Sequence, residues 1–183
     1  LPLMSGGRIA FVTLGCAKNE VDSNRMRALL GDSPFEYTPE LDQADAIVVN
    51  TCSFLAEATL EGIDTVLELT GDAEGIHPPI IMTGCIPSRY GTDLESLLPE
   101  VSAFLPVAAE DTLVETLSGV LDVPLDDDSS SRREGRTLRV VDAAHAYVKI
   151  SDGCDRYCSF CAIPYIRGRY VSRTEEDILA EVE

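Results

Sequence analysis

Three short apolar runs, each ending in a cysteine and most followed by a helical pattern, constrain the fold of this 183-residue chain most strongly. The runs cover residues 9–14, 46–52 and 79–85, and they stop at Cys16, Cys52 and Cys85. Uninterrupted apolar runs of this length are typical of strands that are buried on both faces. The chain is therefore predicted to contain several central strands of a parallel sheet.

Helical patterns separate these runs. Apolar residues recur at helical spacing over residues 19–30 and 56–70, and a glycine follows each segment. Further along we expect a short helix at 94–98, a strand at 103–107 and a helix at 111–121 that is capped by Asp111. Strands that alternate with helices predict an α/β fold, an open parallel sheet with helices on both faces.

The polar segment 122–137 is predicted to be a linker, because it has no apolar periodicity with which to build a core. It separates an α/β domain at 8–121 from a second domain that starts at 138, and residues 1–7 are predicted to be a flexible leader. Strands are expected at 138–141 and 146–151, and a helix begins at Thr174, where Asp177 completes a capping-box pattern. Because the sequence ends within this helix, we expect the second domain to be truncated.

Charge is distributed unevenly along the chain. The net charge is −18, and all of it lies before residue 132, with 5 basic and 23 acidic residues there. An acidic surface repels a phosphate backbone and attracts basic partners, so we expect no direct binding of nucleic acid. A solubilising surface, or adaptation to a salty cytoplasm, is the alternative explanation.

The six cysteines are more consistent with metal ligation than with disulfide bonds. No apolar run approaches the roughly 18 residues that span a bilayer, and the first eight residues lack the pattern of a secretory signal, so a cytoplasmic protein without membrane contact is predicted. The cytosol keeps thiols reduced, which favours ligation or catalysis over disulfides.

The first trio, Cys16, Cys52 and Cys85, falls at the carboxyl ends of predicted central strands. In an open parallel sheet the loops beyond these ends converge on one crevice, so three thiolates are predicted to share a cluster site. The alternative is that each cysteine is only a small buried hydrophobic residue. Asn19 and Asn50 lie beside the crevice and are predicted either to donate to cluster sulfur or to satisfy loop backbone.

The second trio, Cys154, Cys158 and Cys161, lies in one short loop. A four-iron cluster held by three thiolates keeps one iron open for a ligand that is not protein. Structural zinc is the alternative, but it usually takes four ligands, and no fourth partner is evident nearby. For the neighbouring Arg156, Arg167, Arg169 and Arg173, three roles stay open: steering an anion, tuning a cluster or contacting solvent.

The Cys-x-x-x-Cys-x-Phe-Cys spacing of the second trio resembles the radical S-adenosylmethionine motif. In that family the cofactor binds the open iron, and Phe160 matches the aromatic position that packs near it. Four further segments are similar to the methylthiotransferases; they read TLGCAKNEVDS, NTCSF, TGC and IPYIRG and lie at 13–23, 50–54, 83–85 and 163–168. The resemblance implies that Cys16, Cys52 and Cys85 bind an auxiliary four-iron cluster, and that a partial (β/α) radical barrel starts near 138.

Within that family the segment GCAKNEVDS resembles the RimO-type branch, which modifies the β-carbon of an aspartate in the twelfth protein of the small ribosomal subunit. The resemblance implies two 4Fe-4S clusters, S-adenosylmethionine as methyl and radical source, a reductant protein, and no catalytic acid or base. A transfer-RNA modifier of the MiaB type, and a metal- or cluster-binding module without turnover, are the alternatives. The fragment by itself is expected to be inactive.

Overall fold

The computed structural model describes residues 6–71, 77–125 and 146–182, and its centre is a five-stranded parallel sheet. The strand order is β2-β1-β3-β4-β5. The strands are β1 (Gly7–Thr13), β2 (Phe35–Tyr37), β3 (Ala46–Thr51), β4 (Ile80–Gly84) and β5 (Ala103–Pro106). Every residue of β3 and β4 is buried, as their apolar sequences predict. The three strands that precede the first trio are therefore neighbours in the middle of the sheet.

Helices cover both faces of this sheet, which confirms the predicted fold class. They are α1 (Ala17–Leu30), α2 (Ala56–Thr70), α3 (Cys85–Tyr90), α4 (Leu94–Leu97) and α5 (Leu113–Leu121), with 3₁₀ turns at Leu41–Gln43, Gly91–Asp93 and Val107–Thr112. Successive residues of a strand point to opposite faces. Val48 accordingly packs with α1 and α5 on one face, and Ile47 and Val49 pack with α2, α3 and α4 on the other.

Three local features differ from the sequence-based expectations. The three-residue strand β2 escapes prediction because so short a segment carries no periodicity. The predicted helix start at Asp111 is wrong: a 3₁₀ turn precedes α5, Thr112 is the N-cap without a side-chain cap bond, and Asp111 pairs with Arg25 instead. Cys85 is not the end of β4 but the first residue of α3.

The segment at 146–182 contains little regular structure. It forms a two-stranded antiparallel ribbon of β6 (Ser151–Asp152) and β7 (Val171–Ser172), a short helix α6 (Ile163–Ile166) and α7 (Glu175–Val182). The predicted strand at 146–151 is wrong for 146–150, because only its last residue finds a partner strand. At the start of α7 the Asp177 amide donates to Thr174 Oγ1 over 3.2 Å, as the capping-box pattern predicts.

Several boundaries of the sequence analysis lie partly or wholly outside the described residues. The strand expected at 138–141 and most of the linker fall there, as do residues 1–5 of the leader. Gly7 already belongs to β1, one residue before the predicted domain start. Within the part of the chain that is described, every helix is too short or too polar to cross a bilayer.

Candidate functional site

The first trio follows three adjacent strands at the same edge of the sheet. Thr13 lies beside Asn50 in the register of β1 and β3, and Thr51 lies beside Gly84 in that of β3 and β4. Cys52 comes directly after β3, Cys85 directly after β4, and Cys16 is the N-cap residue of α1. The parallel topology therefore brings three cysteines that are distant in sequence to the same edge of the sheet.

Two glycines allow the backbone to come close at this edge. Gly15 has a φ of +96°, and a Cβ atom there would lie 2.4 Å from the Cβ of Cys52. Gly84 has a φ of +91°, and a Cβ atom there would lie 2.4 Å from Asn50 Oδ1. Residues that carry a side chain rarely adopt such φ values, and a Cβ atom cannot lie this close to another atom. Glycine at both positions is therefore a condition for bringing the loops of Cys16, Cys52 and Cys85 together.

The three sulfur atoms meet different environments. Cys16 is exposed, whereas Cys52 and Cys85 are buried. Burial raises the pKa of the Cys85 thiol, and the positive charge of Arg167 opposes this rise, while the neighbouring Cys52 adds to it. Cys52 is thus close enough to raise the pKa of Cys85, whereas Cys16 faces solvent.

A buried pair of amides lies beside Cys16. Asn19 and Asn50 are both fully buried, and Asn19 Nδ2 donates to Asn50 Oδ1 over 2.9 Å and to the carbonyl of Thr51 over 2.8 Å. Asn50 Nδ2 returns a bond to the Asn19 carbonyl over 2.9 Å. Both amides thus bond to backbone carbonyls at the end of β3 and the start of α1, and donation to cluster sulfur stays a prediction. The Cys16 thiol donates to Asn19 Oδ1 over 3.4 Å, so the amide oxygen of Asn19 helps to position the cysteine.

The donor set suits an iron–sulfur cluster by chemistry and by position. Thiolates are the ligands that such clusters take, and here three cysteines follow neighbouring strands at one edge of the sheet. Within residues 6–71, 77–125 and 146–182, no group of three or more His, Cys, Asp or Glu side chains is arranged to hold a single metal ion. A four-iron cluster is larger than an ion and binds each thiolate at a separate corner, so its ligands need not meet at one point.

The second trio lies in an open loop between β6 and α6. The Cys154 amide donates to the Gly168 carbonyl over 3.1 Å, and the Cys161 amide donates to the Cys158 carbonyl over 3.0 Å. Cys158 is exposed, and the other two sulfurs are partly so. Phe160 is 86% exposed. The loop thus presents three thiols and an aromatic ring to solvent rather than to a protein core.

A group of charged side chains, which we call the junction network, joins this loop to the α/β domain. It consists of Asp22 on α1 together with Lys149, Asp152 and Arg167. Asp22 is completely buried and accepts from both Lys149 and Arg167. Lys18 lies at its edge, where it donates to Asp152 Oδ1 over 3.2 Å.

Sequence reasoning missed the junction network. The one available signal was Asp22 itself, a carboxylate one turn before Met26 on the apolar side of the predicted helix. The arginines near the second trio looked equivalent in sequence, but their environments differ sharply. The Arg167 side chain is 4% exposed, whereas that of Arg169 is 84% exposed and lies 3.9 Å from Asp155.

Comparison with known proteins adds independent evidence. The chain matches the family model described as "Uncharacterized protein family UPF0004" over residues 8–106, which is more than half of its length. It is 35% identical to the "Ribosomal protein uS12 methylthiotransferase RimO" of Acetivibrio thermocellus over 188 aligned positions, which cover 96% of this chain and 42% of that protein.

Two further proteins of that name give similar values. The protein of Moorella thermoacetica is 38% identical over 95% of this chain and 41% of its own length, and that of Aquifex aeolicus is 38% identical over 96% and 38%. The chain thus spans about two fifths of the length of these relatives. On the match that extends from β1 to β5, and on the strand-end cysteines within it, the chain belongs to the UPF0004 family.

Proposed function

We propose that the chain is part of an iron–sulfur, S-adenosylmethionine-dependent methylthiotransferase that modifies an aspartate of ribosomal protein uS12. The observation that carries the proposal is the placement of Cys16, Cys52 and Cys85 at the ends of three adjacent parallel strands. A second trio at Cys154, Cys158 and Cys161 supports it, because two thiolate sites in one chain suit an enzyme that uses two clusters.

The similarity to RimO proteins supports the choice of reaction and substrate. The matched region covers nearly all of this chain, and the relatives are named as methylthiotransferases of ribosomal protein uS12. The acidic character of the α/β domain also fits a basic ribosomal protein better than a nucleic acid. We place the protein in the cytoplasm, where thiols stay reduced, and we expect a reductant protein as its electron donor.

Each group of residues has a separate role in this proposal. The first trio would hold an auxiliary cluster beyond the ends of β1, β3 and β4, where Gly15 and Gly84 let the loops that carry these cysteines approach one another. The second trio would hold a cluster in the solvent-facing loop, with one iron left for S-adenosylmethionine, and the exposed ring of Phe160 would be available to contact that cofactor. When bound, these groups supply the reductive chemistry and the methylthio group. The protein supplies the ligands, their burial and the electrostatic surroundings.

Iron analysis after anaerobic reconstitution tests the proposal. Two four-iron clusters predict about eight iron and eight sulfide per chain, together with a broad visible charge-transfer absorption. Replacing the second trio by alanine (C154A/C158A/C161A) is expected to leave about four irons, and replacing the first trio (C16A/C52A/C85A) the other four. A matched Ser102→Ala variant, away from both trios, keeps all of the iron.

Other outcomes would contradict the proposal in distinguishable ways. A colourless protein with one zinc would support a structural metal module instead. Iron that disappears completely from either triple variant would mean one shared site. Substrate choice is tested with the longer protein: uS12 and a transfer RNA are each incubated with it, and mass spectrometry detects the added methylthio group. Modification of the RNA alone would refute the assignment to uS12.

A further inference from the structure

Arg167 occupies an unusual position between the two cysteine trios. It directly follows α6, six residues beyond Cys161, yet its side chain is 4% exposed. Its Nη1 donates to Asp22 Oδ2 over 2.9 Å and to Asp152 Oδ2 over 3.0 Å. Asp22 belongs to α1, whose N-cap residue is Cys16. The Arg167 guanidinium therefore links the loop of the second trio to α1, the helix whose N-cap residue is Cys16 of the first trio.

The second terminal nitrogen of the same guanidinium, Nη2, has no hydrogen-bond partner among the described residues. Arg167 Nη2 is buried and makes no hydrogen bond to any residue that the structure describes. Buried N–H groups of arginine rarely stay unpaired, because their desolvation is costly. Helix α6 packs against α3, which begins at Cys85. The positive charge of the guanidinium lowers the pKa of the Cys85 thiol and so opposes the rise that burial causes. The guanidinium that carries this free N–H group thus lies near a sulfur of the first trio.

We infer that Arg167 is a positioning residue for the first-trio site, held by Asp22 and Asp152 so that Nη2 donates to sulfur of a cluster bound through Cys85. This inference rests on the proposed function, since it needs a cluster at Cys16, Cys52 and Cys85. It assigns to the junction network a role beyond packing. The same ion pairs that dock the loop also fix a positive charge at the auxiliary cluster.

A fixed cation beside a cluster has a definite physical consequence. Reduction adds a negative charge, and a nearby buried guanidinium stabilises the reduced form more than the oxidised form. Hydrogen bonds to cluster sulfur shift the reduction potential in the same direction. Arg167 is therefore expected to raise the potential of the auxiliary cluster and to leave its iron content unchanged.

Potentiometric titration followed by electron paramagnetic resonance tests this inference. The experiment uses the C154A/C158A/C161A background, in which only the first trio binds a cluster. Arg167→Gln is expected to lower the reduction equilibrium constant at least tenfold, which is about 59 mV for a one-electron couple. Arg167→Lys keeps the charge and is expected to shift the potential less. Arg169→Gln is the matched control, because it removes an arginine that is 84% exposed, and no shift is expected.

A folding defect is separated from an electrostatic effect by a second variant. Arg167→Gln leaves the buried carboxylate of Asp22 paired with Lys149 alone, whereas D22N/R167Q removes both charges and avoids an uncompensated acid. A lowered potential is expected in both, and the shift is expected to be smaller in the double variant, because the loss of Asp22 also removes a negative charge. A cluster with normal iron content and unchanged potential in these variants overturns the inference and leaves the proposed function intact. A background protein that binds no iron overturns the proposed function, and this inference falls with it.

Discussion

The amide pair beside Cys16 gives the sharpest test of how the α/β domain holds its cysteines. Asn50 is completely buried at the end of β3. Its Nδ2 donates to the Asn19 carbonyl over 2.9 Å and to Ser23 Oγ over 3.0 Å, and its Oδ1 accepts from Asn19 Nδ2 over 2.9 Å. Asn50→Ala removes all three bonds at once.

The cost of this substitution follows from the groups left behind. Asn19 Nδ2 keeps its bond to the Thr51 carbonyl, but one of its N–H groups loses its partner in a site without solvent. One orphaned buried donor costs about 1–3 kcal/mol, and the loss of the remaining bonds adds about 1 kcal/mol. Asn50→Ala is therefore expected to lower the free energy of unfolding by about 2–4 kcal/mol.

Urea unfolding of the metal-free, reduced protein, followed by far-ultraviolet circular dichroism, measures this loss. Asn24→Ala is the matched control on α1, the helix that carries Asn19, because the Asn24 side chain is half-buried and accepts from Arg27 over a long 3.4 Å. A change within about 0.5 kcal/mol is expected. In a double-mutant cycle, Asn19→Ala and Asn50→Ala should couple by roughly 1 kcal/mol or more. A loss below about 0.5 kcal/mol for Asn50→Ala, or strict additivity, would refute the reasoning.

Two further substitutions probe the same region. Gly84→Ala is expected to destabilise the metal-free protein by more than about 2 kcal/mol, because φ is +91° and the new Cβ would overlap Asn50 Oδ1. Gly119→Ala is the control in the same urea assay: Gly119 lies on α5 with open space around it, so this change should be neutral or slightly stabilising. Burial, and next the nearby Asp22 carboxylate, raise the pKa of Glu110 from 4.5 to about 8, although basic side chains oppose the rise. Folding therefore binds a proton between these two pH values, and the wild-type protein loses stability as pH rises from about 4.5 to 8. Glu110→Gln should become progressively more stable than the wild type over that range, and equal pH profiles of the two proteins would contradict this explanation.

The sequence predicted the central strands and the longest helix closely. The predicted helix at 56–70 coincides with α2, and the runs ending at Cys52 and Cys85 contain β3 and β4. These elements are predictable because burial on both faces, or on one helical face, leaves a periodic pattern of apolar residues. Once the strands were parallel, the convergence of their carboxyl ends followed from topology alone.

Two other parts of the chain were predicted less well from the sequence. Residues 146–150 are apolar enough to suggest a strand but form none, since a strand exists only where a neighbour accepts its hydrogen bonds. The 3₁₀ turn before α5 likewise has no signature that separates it from the first turn of a helix. In these places local propensity was too weak, and long-range pairing decided the conformation.

The amino-acid sequence alone determined the fold class and the two groups of three cysteines, because periodicity and spacing are properties of the chain itself. The tertiary structure alone decided that Arg167, among several arginines, is buried, and that it meets Asp22 from a position 145 residues away. It also decided that Asn19 and Asn50 bond to each other. Such contacts depend on which polar side chains become buried when distant segments pack together. A contact between two single residues far apart in the chain produces no periodic pattern in the sequence.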